Sequence, residues 1–331
     1  MNKAVLPGIK QDLVLESGQK PGLKAGEALV ALKAAALNKR DWWIQQGQYA
    51  GLKFPLVPGS DGAGQVVEVA APEHEHWLGK AVIINPSLYW GDKESHQGPD
   101  FQILGLPQDG TFAEYVKIPV SQLHIKPGHL SYEEAAAIPL VGLTTYRALF
   151  TRAGLKPGEK LFISGIGGGA ATMALQFALA LGCEAYVSSS QGHKIESAKL
   201  LGARAGVLYT QSDWAETLQT QAGAFEVILD SALGKHFEAY LELSAPGGRI
   251  VFFGGTAGNL PELNGRRIFW KQLNVMGTTM GSPADFRNML AFVNKHKIRP
   301  VIDSSFPLDA VNTAFKRLVA PEAFGKIILT I

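Results

Sequence analysis

The chain has a single cysteine, Cys183, in 331 residues. One cysteine excludes an intrachain disulfide and every zinc site built from several cysteines, and a reducing compartment, the cytoplasm, is the expectation. An excess of charge of one sign is also missing. The 31 basic and 29 acidic side chains leave a formal charge of +2 at pH 7, which implies no field for nucleic acid or an anionic membrane. Long apolar runs are absent too: AAAIPLVGL at 135–143 is the most apolar stretch and is far short of the ~20 residues that cross a bilayer. The N-terminus, MNKAVLPGIKQDLVLESG, has no basic segment followed by an apolar run. The reading is a soluble, unprocessed protein whose partners are small molecules or a second copy of itself. There is no internal repeat and no low-complexity segment.

Glycine is what the chain has in excess: 37 residues, roughly 11% against a usual ~7%, which fits the tight turns and close backbone approaches of nucleotide-binding α/β domains. The length favours about two domains of ~150 residues. The first 120 residues read as short strands, EALVALKAAAL, GAGQVVEVA, KAVIINPS and FAEYVKIP, separated by Gly and Pro clusters. From Ser131 a capping-box start with Glu134 opens an apolar helix that Pro139 and Gly142 should break or bend. Strand and helix then alternate from LFISG to LNVMGTT, the pattern of a six-stranded parallel sheet covered on both faces. The final segments, DFRNMLAFVNKHK and GKIILTI, leave that alternation and are expected to return to the first domain. The expected organisation is α/β: a β-rich domain over 1–125, a doubly wound domain over 126–281 and a return to the first over 282–331.

The strand KLFISG runs into GIGGGAATMALQFALALG. Gly165, Gly167 and Ala170 form G-x-G-x-x-A, with Gly168 and Gly169 between them, in the strand-to-helix context of a dinucleotide fingerprint. The first glycine permits the turn, the second lets backbone approach a pyrophosphate, and the helix N-terminus presents unpaired N–H groups to it. The second strand ends YVSSSQGHK, without the Asp or Glu that would bind ribose hydroxyls of NAD. Ser189, Ser190 and Lys194 would instead meet a 2′-phosphate with hydroxyls and an ammonium, so NADPH is the expected cofactor. Tyr209, at the end of the third strand, is a further candidate for that phosphate.

In order, ALNKRDWWIQQGQY, PLVPGSDGAGQVVEV, DGTFAEYV, AAAIPLVGLTTYRAL, GEKLFISGIGGGAATMALQFA, KLLGA, PLDAVNTAFKRL and FGKIILTI resemble the medium-chain dehydrogenase/reductase superfamily. Within it they resemble the zinc-free quinone oxidoreductase branch, and the resemblance spans nearly the whole chain. It implies a GroES-like β-rich catalytic domain interrupted by a Rossmann domain, and a homodimer joined through the last Rossmann strand. Where zinc-dependent members carry a cysteine ligand this chain has Asn38, and where they read P-G-H-E it has Pro58, Gly59, Ser60 and Asp61. Near their third ligand it offers Val141, Gly142 and Leu143, and none of these is a good zinc ligand. The four-cysteine lobe is replaced by SLYWGDKESHQGPDFQILGLPQDG. No metal is therefore expected. The stretch PEHEHWLG, with His74 and His76, reads as a solvent-facing loop. A Ser60 hydrolase is excluded because G-x-S-x-G would need glycine where Pro58 stands.

Without zinc, the resemblance implies hydride transfer to a planar, intrinsically electrophilic acceptor, a quinone or an alkene conjugated to a carbonyl. Asn38 is a hydrogen-bond donor to the developing oxyanion or else a turn or cap residue. Tyr49 matches a tyrosine near substrate and either donates a bond or proton or shapes the pocket. Asp41 completes N-x-x-D in a catalytic or a structural role. Trp43 stands where relatives often have tyrosine. Thr144 matches the threonine near the nicotinamide carboxamide, and Phe253 and Gly254 close the fifth strand at the nicotinamide end.

Overall fold

The strand Glu27–Ala36 organises the first of two units in the computed structural model, which describes residues 1–331. Its alanines Ala34, Ala35 and Ala36 are fully buried, because small side chains let neighbouring elements close in on both faces. The sheet runs in the order Ile302–Pro307, Lys326–Thr330, Glu27–Ala36, Asp61–Val69, Ala81–Ile84 and Leu123–Ile125, and Tyr115–Pro119 also pairs with Glu27–Ala36. Register fixes what meets at the end of the central strand: Ala36 lies opposite Asp61 on one side and Ile328 on the other. The last strand of the chain is thus a direct neighbour of the first long one, and the expected return of the C-terminus to the first domain is observed.

The two units are residues 1–143 with 281–331, and residues 144–280. The first division therefore falls after Leu143, whereas the sequence pattern placed it at 125/126. The reason is packing: helix Tyr132–Ala136, capped by Ser131 and Glu134, lies on the strands Glu27–Ala36 and Asp61–Val69 of the first unit. The anticipated interruption is present, since a second helix begins at Pro139 and runs to Tyr146, with proline at the position where a missing N–H costs nothing.

In the second unit six parallel strands stand in the order Ala205–Leu208, Glu184–Ser189, Lys160–Ile163, Phe225–Asp230, Ser244–Phe252 and Asn274–Gly277. In sequence terms that is third, second, first, fourth, fifth, sixth, so the order reverses beside the first strand, where such sheets bind nucleotides. A core of Phe162, Trp214, Phe225, Phe237 and Tyr240 covers one face. No helix is long and apolar enough to cross a membrane.

The turn Val57–Ser60 is held from outside by residues 104–112. Gly110 N donates to Val57 O at 2.7 Å, Thr111 N to Gly59 O at 3.0 Å and Phe112 N to Pro58 O at 3.1 Å. Three glycines make this approach possible: a Cβ on Gly110 would lie 1.9 Å from Gly59 O, and one on Gly105 would lie 2.6 Å from the same oxygen. Gly110→Ala is expected to cost at least ~3 kcal/mol through backbone displacement. Gly128→Ala, where nothing lies within 4 Å, should stay within ~0.5 kcal/mol of the parent. Urea unfolding of both variants checks this, and equal effects would contradict it.

Candidate functional site

Asn38 follows the central strand and caps helix Lys39–Gln45. Its backbone N–H donates to Asp41 Oδ2 at 2.7 Å, so the cap role weighed for Asn38 and the structural role weighed for Asp41 are both present. The Asn38 side chain is only 4% exposed and lies between two charges. Nδ2 donates to Asp61 Oδ2 at 2.8 Å, and Oδ1 accepts from Lys326 Nζ at 2.8 Å. This orientation is dictated by the partners, since an ammonium only donates and a carboxylate only accepts. Lys326 also reaches Leu37 O at 2.8 Å and Asp61 Oδ2 at 2.9 Å, while Asp61 Oδ1 accepts from Leu140 N at 2.8 Å. Sheet register produces this cluster: Asp61 opens its strand opposite Ala36, and Lys326 opens the strand on the other side. Sequence reasoning missed Lys326, because a lysine before an apolar run reads as an exposed strand end.

Arg40 was missed for a similar reason. It is 8% exposed. Its Nη1 donates to Ser60 Oγ at 2.7 Å and Leu104 O at 3.0 Å, and Ser60 Oγ in turn donates to Leu104 O at 2.7 Å. The Arg40 Cζ stands 5.0 Å from the centroid of the Tyr49 ring, so Tyr49 and the Ser60 turn meet through this guanidinium. Trp42 and Trp43 pack edge to face at 4.5 Å on the same helix. Asp41 is fully buried with Oδ1 unpartnered, and desolvation pushes its carboxyl up to about 6 against the lowering charge of Arg40.

The glycine loop of the second unit turns through positive φ between its first strand and the following helix. Gly165 and Gly167 have φ of 65° and 140°, and Gly168 caps helix Gly169–Leu181, in which Ala170 is the second residue. Ile166 N donates to Ser188 O at 2.7 Å, stitching the loop to the second strand. A Cβ on Gly167 would meet Lys194 Cδ at 2.7 Å and Nζ at 3.0 Å, so Lys194 lies directly on the loop. The serines divide: Ser189 is buried, with its hydroxyl donating to Ile166 O at 3.4 Å and accepting from Gln191 N at 3.2 Å, whereas Ser190 is exposed. Tyr209 N donates to Ser189 O at 3.1 Å, and its half-buried ring packs against His236 with centroids 5.3 Å apart.

At the other end of the loop, Ser164 Oγ bonds Asp230 Oδ1, which also accepts from Tyr240 OH at 3.1 Å. Burial raises the Tyr240 phenol. Phe253 N donates to Asp230 O at 3.1 Å, and Gly254, at φ 79°, faces Ser231 O. Thr144 is buried with Oγ1 3.7 Å from Met280 Sδ. The structure thus groups Asn38, Asp41 and Tyr49 in the first unit and the candidate cofactor residues in the second.

Residues 24–128 match the family described as alcohol dehydrogenase GroES-like domain, and residues 169–295 match zinc-binding dehydrogenase. A zinc-type alcohol dehydrogenase-like protein of Leptosphaeria maculans is 36% identical over 96% of this chain and 94% of its own length. An acryloyl-coenzyme A reductase of Metallosphaera sedula is 29% identical over the full length of both. A crystal structure of an NAD-dependent alcohol dehydrogenase, 33% identical, superimposes with a TM-score of 0.91 over all of both chains.

The zinc in those family names does not fit the residues here. Asn38 is committed to Asp61 and Lys326, Ser60 is bonded to Arg40, and the charge of Asp61 is already neutralised by an ammonium. No group of three His, Cys, Asp or Glu side chains is arranged to hold a metal ion. His76 of PEHEHWLG turns its ring onto Glu73 O, 3.1 Å away.

Asp41 gives the site a pH signature. Its folded value of about 6 lies above the ordinary 3.8. Its favourable contribution is therefore complete below about pH 4 and lost as pH rises through about 6, a swing of about 3 kcal/mol. Asp41→Asn keeps an acceptor for Asn38 N and removes the charge. Relative to the parent, its unfolding free energy should rise by that amount between pH 4 and 7. A pH-independent difference would contradict the assignment.

Proposed function

The chain belongs to the medium-chain dehydrogenase/reductase superfamily with zinc-type alcohol dehydrogenase domains, and on that premise we propose that it is an NADPH-dependent, zinc-independent reductase of quinones or carbonyl-conjugated alkenes. That it is an oxidoreductase using a nicotinamide cofactor follows from the family. The finer reading is supported by one observation: Asn38 and Asp61, at two of the positions where zinc-dependent members differ, are bonded to each other and to Lys326, an arrangement that does not suit a zinc ion able to polarise an unactivated carbonyl. The acceptor must then be electrophilic by itself. The relative named acryloyl-coenzyme A reductase, after an alkene conjugated to a carbonyl, agrees with this.

In this reading bound NADPH supplies the hydride, and the protein orients both reactants and stabilises charge. Gly165, Gly167, Gly168, Gly169 and Ala170 hold the pyrophosphate against backbone N–H groups. Lys194 and Ser190 face the 2′-phosphate, with Ser189 shaping the turn and Tyr209 flanking it. The support is that Lys194 lies against Gly167 and that the second strand ends without a carboxylate. Thr144, Phe253 and Gly254 of the second unit would serve the nicotinamide; Asn38, Asp41 and Tyr49 of the first unit are the candidates for the acceptor.

NADPH oxidation against a panel of quinones, enones, aldehydes and ketones in chelator-treated protein tests the reading. Turnover of quinones or enones alone is expected. Turnover of simple aldehydes or ketones, lost on chelation, would favour a zinc alcohol dehydrogenase, and no turnover would favour an idle NADPH-binding protein. Lys194→Ala should weaken NADPH by about 1.5–3 kcal/mol, the range of a charged hydrogen bond, and leave NADH nearly unchanged. Equal weakening of both, measured by fluorescence titration, would remove the phosphate assignment.

A further inference from the structure

Asp230 ends the strand Phe225–Asp230 of the second unit and is fully buried. Its carboxylate takes two hydrogen bonds on each oxygen, which fills its lone-pair sites. Oδ1 accepts from Ser164 Oγ and from Tyr240 OH at 3.1 Å, and Oδ2 accepts from Ala232 N at 3.1 Å and Leu233 N at 2.7 Å. These donors belong to three separate segments: Ser164 precedes Gly165 of the glycine loop, Ala232 and Leu233 follow the fourth strand, and Tyr240 sits in helix Phe237–Leu243. Sheet register explains the meeting, since Ile163 lies opposite Leu229 and the chain therefore leaves the two strands side by side at Ser164 and Asp230. In a sheet of this order the nucleotide lies in the crevice beyond the carboxyl ends of the first and fourth strands, and Asp230 joins the two loops that flank it. Leu233 has a φ of 59°, a left-handed conformation that a large apolar residue rarely adopts. Such strain persists only where the surroundings over-determine it, and it collects at ligand clamps. Here Asp230 holds Leu233 N, Gly234 N donates to Asn259 O at 3.2 Å, and Ala232 O accepts from Ala257 N at 2.9 Å. Anchoring Tyr240 would take one bond; the others hold the loops.

We propose that Asp230 is a positioning residue for the cofactor: by tying Ser164 to Ala232 and Leu233 it sets the spacing of the glycine loop and the loop at 231–234, and so preorganises the part of the cleft that NADPH and NADH share. The inference rests on the nicotinamide-cofactor assignment and is independent of the preference between the two cofactors and of the acceptor. A preformed cleft spares the ligand the cost of ordering both loops. Because the tie acts on backbone common to both cofactors, it raises the affinity for each by the same factor, whereas Lys194 separates them. An amide replaces the carboxylate in part. In Asp230→Asn the side-chain oxygen can accept from the two loop N–H groups, and the NH2 can donate to the hydroxyls of Ser164 and Tyr240, which turn to accept. Asp230→Ala offers neither.

The test compares Ser164→Ala, Asp230→Ala, Asp230→Asn and Tyr240→Phe in the full chain, by fluorescence titration with NADPH and with NADH well below each Tm. Ser164→Ala and Asp230→Ala should each raise Kd by at least about fivefold, equally for the two cofactors. Asp230→Asn should recover most of that loss. Tyr240→Phe removes a bond to the same carboxylate without freeing either loop, so it should lower Tm and leave both Kd values within about twofold of the parent. Hydrogen exchange without cofactor gives a second readout. Ile166 N is bonded to Ser188 O and not to Asp230, yet its exchange should quicken at least about tenfold in Asp230→Ala. Leu233 N keeps its acceptor in Ser164→Ala and should quicken likewise. Unchanged Kd values in Ser164→Ala would overturn the proposal. So would losses of affinity that follow Tm across all four variants, Tyr240→Phe included, the mark of a purely structural carboxylate. Should Asp230→Ala fail to fold, Ser164→Ala decides. If the parent binds neither cofactor while both amides still quicken, the cofactor assignment fails and the tie between the loops stands.

Discussion

Lys326 places an ammonium that is 3% exposed between Asp61 and Asn38, and the arrangement of the first unit turns on that contact. The three residues come from the last strand, the second long strand and the end of the first, and the register of two antiparallel pairs brings them together. A buried pair of this kind contributes little net stability against an apolar replacement, but removing one partner alone costs roughly 3–5 kcal/mol. Its effect here is specificity. It fixes the orientation of the Asn38 amide, which a polar surface would leave free to flip, and holds the Asp61 carboxylate in an ion pair.

The turn Val57–Ser60 shows how such a network is kept dry. Gly59, Gly105 and Gly110 approach so closely that side chains between them would overlap backbone, and residues 104–112 close over Ser60 and Asp61. Thr111 Oγ1 bonds Asp61 O at 2.8 Å. Water excluded from Asp41, Asp61 and Lys326 makes each charge there more consequential. The glycine loop of the second unit is built by the opposite means: its backbone turns at positive φ, and Lys194 is laid along Gly167.

Much of the fold was legible because its signals are local. Alternating strand and helix from Leu161 onward specified a parallel sheet, and the glycines at 165 and 167 specified the loop after its first strand. The position of the first boundary was not legible, since the apolar face of Tyr132–Ala136 reads the same whichever sheet it covers. The candidate site was legible in its neutral residues and opaque in its charged ones. Asn38 and Tyr49 stand in recognisable patterns, whereas Arg40 in NKRD and Lys326 in FGK look like ordinary surface cations until the fold buries them. Ser189 and Ser190 were equivalent on paper, and only the strand geometry turns one hydroxyl inward and leaves the other exposed.

On the proposed reading, hydride goes to a quinone or to the β-carbon of an alkene activated by its carbonyl, without a metal. The most direct measurement is the fate of deuterium from C4-deuterated NADPH in a single turnover of 2-cyclohexenone by chelator-treated protein, read by mass spectrometry and NMR. The account predicts saturated ketone labelled at the β-carbon. An allylic alcohol labelled at the carbinol carbon would contradict it.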